Sequence, residues 1–269
     1  MLLSRISALL ILSLAAAQAA QAASSDWHNV EGGSIRIVTA GAPDAEGYIR
    51  GALQIDLAPG WKTYWMDPGA SGVPPQISAA LDGAPAEVEI GFPPPQRFDD
   101  GYTQWTGYDH SVSLALTMRV PKDASDRREF TANAFLGVCE MICIPVQAEL
   151  SFSLEGNGNS AEDAQMVASA FAALPPSLEE TMKLELIARE DDALIVEARL
   201  PDGMSALDLF LAGNEGLTLE VPEIETSTTG SSTRFRVPIA FSAPGAQAGD
   251  LAYTLLTSDG AYTGQLSLR

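Results

Sequence analysis

Cysteine and histidine are scarce in this chain: its 269 residues include two of each. That is a poor supply for the usual zinc centres, which draw four ligands mostly from these two residue types. Positive charge is scarce as well. Lys and Arg number 15 against 35 Asp and Glu, a formal net charge of −20 at pH 7. A field of that sign repels phosphate backbones and anionic lipid surfaces, which argues against nucleic-acid binding and peripheral membrane attachment. Apolar runs are short too, none approaching the roughly 20 residues that span a bilayer. The chain is nevertheless 46% hydrophobic and 19% charged, enough apolar material for one large packed domain or two ordinary ones. Any chemistry must run through few residues.

The first 22 residues have the three parts of a secretory signal peptide. Arg5 supplies the positive end, Ile6 to Ala17 the short apolar stretch, and Ala20-Gln21-Ala22 the small residues before a cut, with Ala17-Gln18-Ala19 as a second choice. Cleavage after Ala22 is expected to leave no membrane anchor. It would also place both cysteines where disulfides persist or are actively managed.

Downstream the hydrophobic period is mostly two, the mark of half-buried strands. Ser34–Thr39, Tyr48–Leu57, Val112–Arg119, Glu129–Gly137 and Val146–Leu154 read as strands, with Val112, Leu114, Leu116 and Met118 alternating cleanly. A second set covers Leu184–Arg189, Ala193–Leu200, Ala206–Leu211, Leu217–Val221, Thr233–Phe241, Leu251–Thr257 and Ala261–Leu268. Ser258-Asp259-Gly260 joins the last two as a hairpin turn. Pro93-Pro94-Pro95 cannot lie in a central strand and marks a loop or an edge. Between the sets, Ser160 is a candidate N-cap for a helix that presents Met166, Ala170, Phe171 and Leu174 on one face and stops at Pro175-Pro176. The expected fold class is all-β, two tandem β-sandwiches. The expected segments are a signal peptide over 1–22, a first sandwich over 23–155, a linker with a helix over 156–179 and a second sandwich over 180–269.

One constellation carries chemistry: Val138-Cys139-Glu140-Met141-Ile142-Cys143-Ile144-Pro145. In a continuing strand the two cysteines would lie about 13 Å apart, beyond the ~4.4–6.8 Å between Cα atoms that a disulfide tolerates. A bond between them requires the chain to turn, as a tight bulge or a single helical turn, at a strand end. Three readings stand. The pair is a structural staple, as in a protein-binding scaffold module, or a redox-active couple, or a soft-metal site for copper handling in which the two thiolates and Met141 hold Cu(I). A loop of five residues stabilises by only about 2 kcal/mol in chain-entropy terms, a weak reason to keep a staple. A thioredoxin-type motif is excluded, since it has two intervening residues and opens a helix. Nothing basic lies within ten residues of either sulfur, and Glu140 stands between them, which argues against a strongly lowered thiol pKa.

Further pieces surround the pair in a fixed order. They are Pro59-Gly60-Trp61-Lys62-Thr63-Tyr64-Trp65, Phe92-Pro93-Pro94-Pro95, Phe98-Asp99-Asp100-Gly101-Tyr102 and Gly107-Tyr108-Asp109. Together with the cysteine segment, from about Ile35 to Leu154, they resemble the N-terminal periplasmic domain of the disulfide reductase DsbD family and its copper-tolerance relatives. The resemblance implies an immunoglobulin-like fold in the periplasm. There a cysteine pair passes electrons by thiol–disulfide exchange to thioredoxin-like or other disulfide-exchange proteins, with no cofactor or metal. Cys139 and Cys143 match the active pair, and Cys143 the cysteine that forms the mixed disulfide. Tyr64 matches an active-site tyrosine, and Asp99, Asp100 and Tyr102 fall on a short cap loop that shields the sulfurs. Three departures matter: studied members place more residues between the cysteines, the family's membrane electron carrier and thioredoxin-like domain have no counterpart here, and residues 180–269 lie outside the resemblance. A separate membrane protein would then donate electrons.

Other residues have plainer readings. Trp61, Tyr64, Trp65, Tyr102, Trp105 and Tyr108 form an aromatic set that suits either a core or a docking face. Asp67 and Asp99-Asp100 could accept protons from a thiol, but read equally as solvated loop charges. His110 beside Asp109 lacks an accompanying serine motif and reads as a surface residue.

Overall fold

The computed structural model describes residues 23–69, 72–99, 101, 104–121, 128–154, 160–225, 232–244, 246 and 249–269; the signal-peptide reading falls outside them. Among the described residues the chain is all-β apart from one helix, Ser160–Ala172. Among these residues no helix is long and apolar enough to cross a membrane.

The N-terminal part forms one long antiparallel sheet that closes over a common core. Its strands follow the order Ala23–Ser24, Gly33–Thr39, Tyr48–Leu57, Val112–Arg119, Ala84–Gly91, Gln76–Leu81, Glu129–Cys139 and Cys143–Ser153, with His28–Val30 paired to Gly33–Thr39. Side chains alternate between faces along each strand, so Val112, Leu114, Leu116 and Met118 all point inward. From the far end of the same sheet Phe130, Ala132, Leu136 and Val138 meet them across the core. On the outer face, short side chains lie beneath the helix. Val38, Ala52 and Ala115 let Val167 and Ala170 of the helix approach closely. Arg36 pairs with buried Asp163 at 3.5 Å, and the Arg50 guanidinium lies 3.7 Å from the Phe171 ring centre. Ser160 is the first residue of the helix, not the residue before it.

The C-terminal part has two sheets. One orders Lys183–Arg189, Ala193–Arg199, Ser232–Ser242 and Leu217–Leu219, with Glu223–Glu225 on Ser232–Ser242; the other orders Ala206–Leu211, Asp250–Thr257 and Gly260–Ser267. They enclose a second core around Leu194, Val196, Leu209, Phe235 and Leu255. The two cores touch through the strand Ala206–Leu211. Its register against Asp250–Thr257 shifts between Ala206 and Asp208, a bulge that re-aims the residues around it. Ala206, Leu209 and Leu211 then face the second core, while Phe210 and, beyond the strand, Ala212 enter the first.

The strands read from periodicity are present, with ends moved by a few residues. Several were not anticipated. Three of these, Thr63–Tyr64, Gln104–Tyr108 and Gln96–Asp99, form a small sheet of their own in that order. They are short and lie among Pro and Gly, so no alternation develops in them. That sheet builds the site.

Candidate functional site

The two cysteines close a hairpin. Cys139 ends one strand, Cys143 begins the next, and the two are directly paired across the ladder with their Cα atoms 4.2 Å apart. They form a disulfide. The turn is therefore a three-residue hairpin loop, Glu140-Met141-Ile142, and neither the bulge nor the helical turn anticipated from spacing. A hairpin brings opposed residues within disulfide reach, so no further bend is needed. Pro145 lies in the returning strand, at the end of the sheet order and exposed, where its missing N–H interrupts no ladder.

The pair is asymmetric. Cys139 is 1% exposed, and Cys143 is exposed. The tip beyond them is apolar and bare, with Met141 92% and Ile142 76% exposed.

Tyr64 completes the centre. Its hydroxyl lies 2.9 Å from Cys139 Sγ and 2.9 Å from Cys143 Sγ. A disulfide sulfur carries no hydrogen, so the phenol donates. Burial pushes the Tyr64 hydroxyl above its ordinary pKa of 10.0, which keeps the proton on it. The ring reaches this position because Gly137 has no side chain. A Cβ there would come within 2.9 Å of the Tyr64 ring and 3.0 Å of Val73. Backbone bonds fix the segment: Lys62 and Cys139 exchange N–H···O bonds of 2.8 and 2.9 Å, and Thr63 Oγ1 donates to the Gly137 carbonyl.

An aromatic wall stands beside the sulfurs. Tyr64, Trp105 and Cys139 pack together with Phe98 against them. Phe98 and Trp105 are opposite each other in the small sheet and stack at 3.9 Å between ring centres. Tyr64 meets Trp105 edge-on at 5.9 Å. The Lys62 ammonium lies 4.4 Å from the Trp105 ring centre, a favourable cation–π distance. Folding thus brings to the site a positive charge that the sequence near the cysteines does not contain.

The remaining candidates divide. Asp99 turns its carboxylate to its own loop, accepting from Gly101 N at 2.7 Å and Gln104 Nε2 at 3.0 Å. Asp100 and Tyr102 lie outside the described residues. Asp67 accepts from Gly69 N and, at 2.8 Å, from Gly213 N of the C-terminal part. Trp65 and Tyr108 belong to the first core, and Trp61 packs against it. His110 and Asp109 are an exposed pair at 3.0 Å. Neither Phe98 nor Arg97 carries a sequence pattern that assigns it a role. Phe98 does open the segment Phe98-Asp99-Asp100-Gly101-Tyr102, whereas nothing marks Arg97. As for metals, no group of three or more His, Cys, Asp or Glu able to hold one occurs among the described residues.

A cleft of about 670 Å³ lies between the two parts of the chain, lined by Trp65, Arg97, Trp105, Phe210, Leu219 and Pro222 among others. Trp105 is thus common to the cleft and to the disulfide's surroundings.

Residues 37–155 match the family described as thiol:disulfide interchange protein DsbD, N-terminal. The resemblance seen in the sequence is therefore found by independent comparison over nearly the same span. Among solved structures the chain is similar to the N-terminal periplasmic domain of ScsB from Proteus mirabilis. The TM-score is 0.72 at 20% identity, covering 91% of this chain and 97% of that one. At that identity the likeness is one of fold, and it extends through the C-terminal part. No curated protein matches the sequence.

Proposed function

We propose that this chain is a periplasmic thiol–disulfide exchange protein, exported by removal of residues 1–22, whose Cys139–Cys143 pair carries electrons to partner proteins. In this reading residues 23–155 and 180–269 are two tandem immunoglobulin-like β-sandwiches joined by the linker 156–179. The observation that carries it is the asymmetry at the sulfurs. Cys143 is open to an incoming thiolate, whereas Cys139 is buried beside the Tyr64 hydroxyl.

The steps follow from that geometry. A donor thiolate attacks Cys143 Sγ, forming a mixed disulfide as the Cys139–Cys143 bond breaks. The electron pair of that bond leaves on Cys139 Sγ, where the Tyr64 hydroxyl stabilises it by a charge-assisted hydrogen bond. A second donor thiol, after losing its proton, resolves the mixed disulfide and releases Cys143 as a thiolate. Both Cys139 and Cys143 then take up protons, so two electrons and two protons have been received. The same steps in reverse, against a disulfide on a thioredoxin-like partner, pass them on. Met141 and Ile142 flank the attacked sulfur and form the apolar contact face.

Two measurements test this. Equilibration with thiol buffers should give a reduction potential above about −300 mV; a lower value is that of an inert structural bridge. The Cys139→Ala protein, activated at Cys143 as a mixed disulfide with a chromogenic thiol, should form a covalent complex with a thioredoxin lacking its resolving cysteine. The Cys143→Ala protein, whose remaining thiol is buried, should not.

A further inference from the structure

The small sheet has two faces, and the period of two along its strands separates them. Phe98 and Trp105 are direct partners, and Tyr64 pairs with Gly107, two residues beyond Trp105. These three side chains share the face turned to the disulfide. Arg97 is paired with Thr106 and so belongs to the opposite face, towards the C-terminal part of the chain. There the contacts are specific. Arg97 Nε and Nη2 donate to the two carboxylate oxygens of Asp208 at 3.2 Å each, and Nη2 also donates to the Leu209 carbonyl at 3.1 Å. The guanidinium lies 4.6 Å from the Phe210 ring centre, and Phe210 meets Trp65 edge-on at 6.0 Å. One strand thus offers Arg97 a bidentate carboxylate, a carbonyl and an aromatic face. Asp67, three residues after Tyr64, is held by Gly213 just beyond the same strand.

The bulge between Ala206 and Asp208 is what aims this strand. It lets Ala206, Leu209 and Leu211 serve the second core while Asp208 and Phe210 face the small sheet. The arrangement costs regular pairing at one position, which a strand with a single task would not require.

We propose that Arg97 is a positioning residue through which the C-terminal part braces the redox site. With Asp208 and Leu209 holding Arg97, the adjacent Phe98 is fixed on Trp105, and the wall beside Cys139 and Tyr64 is closed. Releasing Arg97 lets the wall move and uncovers Cys139 Sγ, giving small thiols a second sulfur to attack beside the exposed Cys143. This rests on the exchange reading above for its purpose; the brace itself is read independently of it.

The test uses the whole exported chain with Arg97→Ala, Asp208→Ala and the double variant. The rate of disulfide reduction by dithiothreitol should rise about tenfold in each single variant, the ratio that one charge-assisted hydrogen bond commands. The double variant should be no faster than either single one, because both remove the same link. The reduction potential should stay near that of the parent, since the brace controls access and not the sulfurs' relative stability. Arg97→Lys, which keeps the charge but not the fork, should fall between. Parent-like rates in both single variants, additive rates in the double variant, or a potential that moves with the rate would overturn the brace. Should either alanine variant fail to fold, Asp208→Asn, of nearly equal volume, carries the same comparison with a smaller rise; a parent-like rate there overturns the proposal. The exchange reading fails separately, by a potential below about −300 mV in the parent, whatever the rate ratios are.

Discussion

Two hairpins of this chain differ at their tips and agree in their stems. The hairpin of Glu129–Cys139 and Cys143–Ser153 ends in a disulfide with Met141 and Ile142 bare above it. The hairpin of Asp250–Thr257 and Gly260–Ser267 turns through Ser258 and Asp259, whose polar groups are bonded within the turn and to Ser205, which Ser258 meets through N–H···O bonds in both directions. There Thr257 Oγ1 donates to the Gly260 carbonyl and accepts from Asp259 N, and Ser258 Oγ donates to Asp259. In both stems a glycine makes room for a tyrosine: Gly137 for Tyr64, and Gly264 for Tyr253, whose hydroxyl lies 2.5 Å from where a Cβ would be. A hairpin that needs only to turn uses polar residues bonded to the protein itself. One that leaves two large apolar side chains in water around a cross-link carries a cost without a folding benefit, which the docking proposed above would offset.

The largest expected effect follows from that difference. Met141→Ser and Ile142→Ser should each slow exchange with a thioredoxin about tenfold, and together about a hundredfold, if each side chain is buried on docking. Reduction by dithiothreitol should be unchanged, because a small thiol buries neither. Equal slowing of both reactions would show that the tip shapes the loop and does not dock. Replacing both cysteines with Ala should lower stability by about 2 kcal/mol, the value of a five-residue loop in chain-entropy terms. Chemical denaturation measures it. A much larger loss would make the cross-link a structural element after all and erase the contrast with the uncrosslinked hairpin.

Much of the fold was legible because long strands advertise themselves. The strand Val112–Arg119 lies buried on both sides of the ladder, between Tyr48–Leu57 and Ala84–Gly91, with its alternating residues in the core. The Asp82-Gly83 turn carries an equally plain signal: both residues have positive φ, 44° and 76°, as the favoured hairpin turn demands. The cysteine pair could be found from composition, and Tyr64 only through the family resemblance, since 75 residues separate it from Cys139. The wall and brace were not legible. Thr63–Tyr64 and Gln96–Asp99 are too short to show a period, and Arg97 finds Asp208 across 111 residues. Such pairings are decided by how the two parts of the chain pack, which no local pattern encodes.

The next effect separates the two tyrosines. Tyr64→Phe should slow reduction of the disulfide about tenfold, because the leaving Cys139 thiolate loses a charge-assisted hydrogen bond. Tyr253→Phe should leave that rate alone. A normal rate in Tyr64→Phe would mean that the hydroxyl packs against the sulfurs without serving them.

The smallest effect is one the two tyrosines share. Burial raises the pKa of Tyr64 and of Tyr253 above the ordinary 10.0. Above pH 10 the unfolded chain gives up these protons while the folded one keeps them, so the native state binds more protons and stability falls as pH rises. Below pH 10 both groups are protonated in both states, and their contribution is constant and fully present. Each Tyr→Phe variant should therefore show a shallower loss of stability between pH 10 and 11 than the parent, read from denaturation midpoints at matched ionic strength. The two variants should differ in exchange rate and agree in this slope. If Tyr64→Phe alone flattened the slope, the phenol over the sulfurs would be the more deeply desolvated of the two. The likeness of the stems would then end where the resemblance of the tips already does.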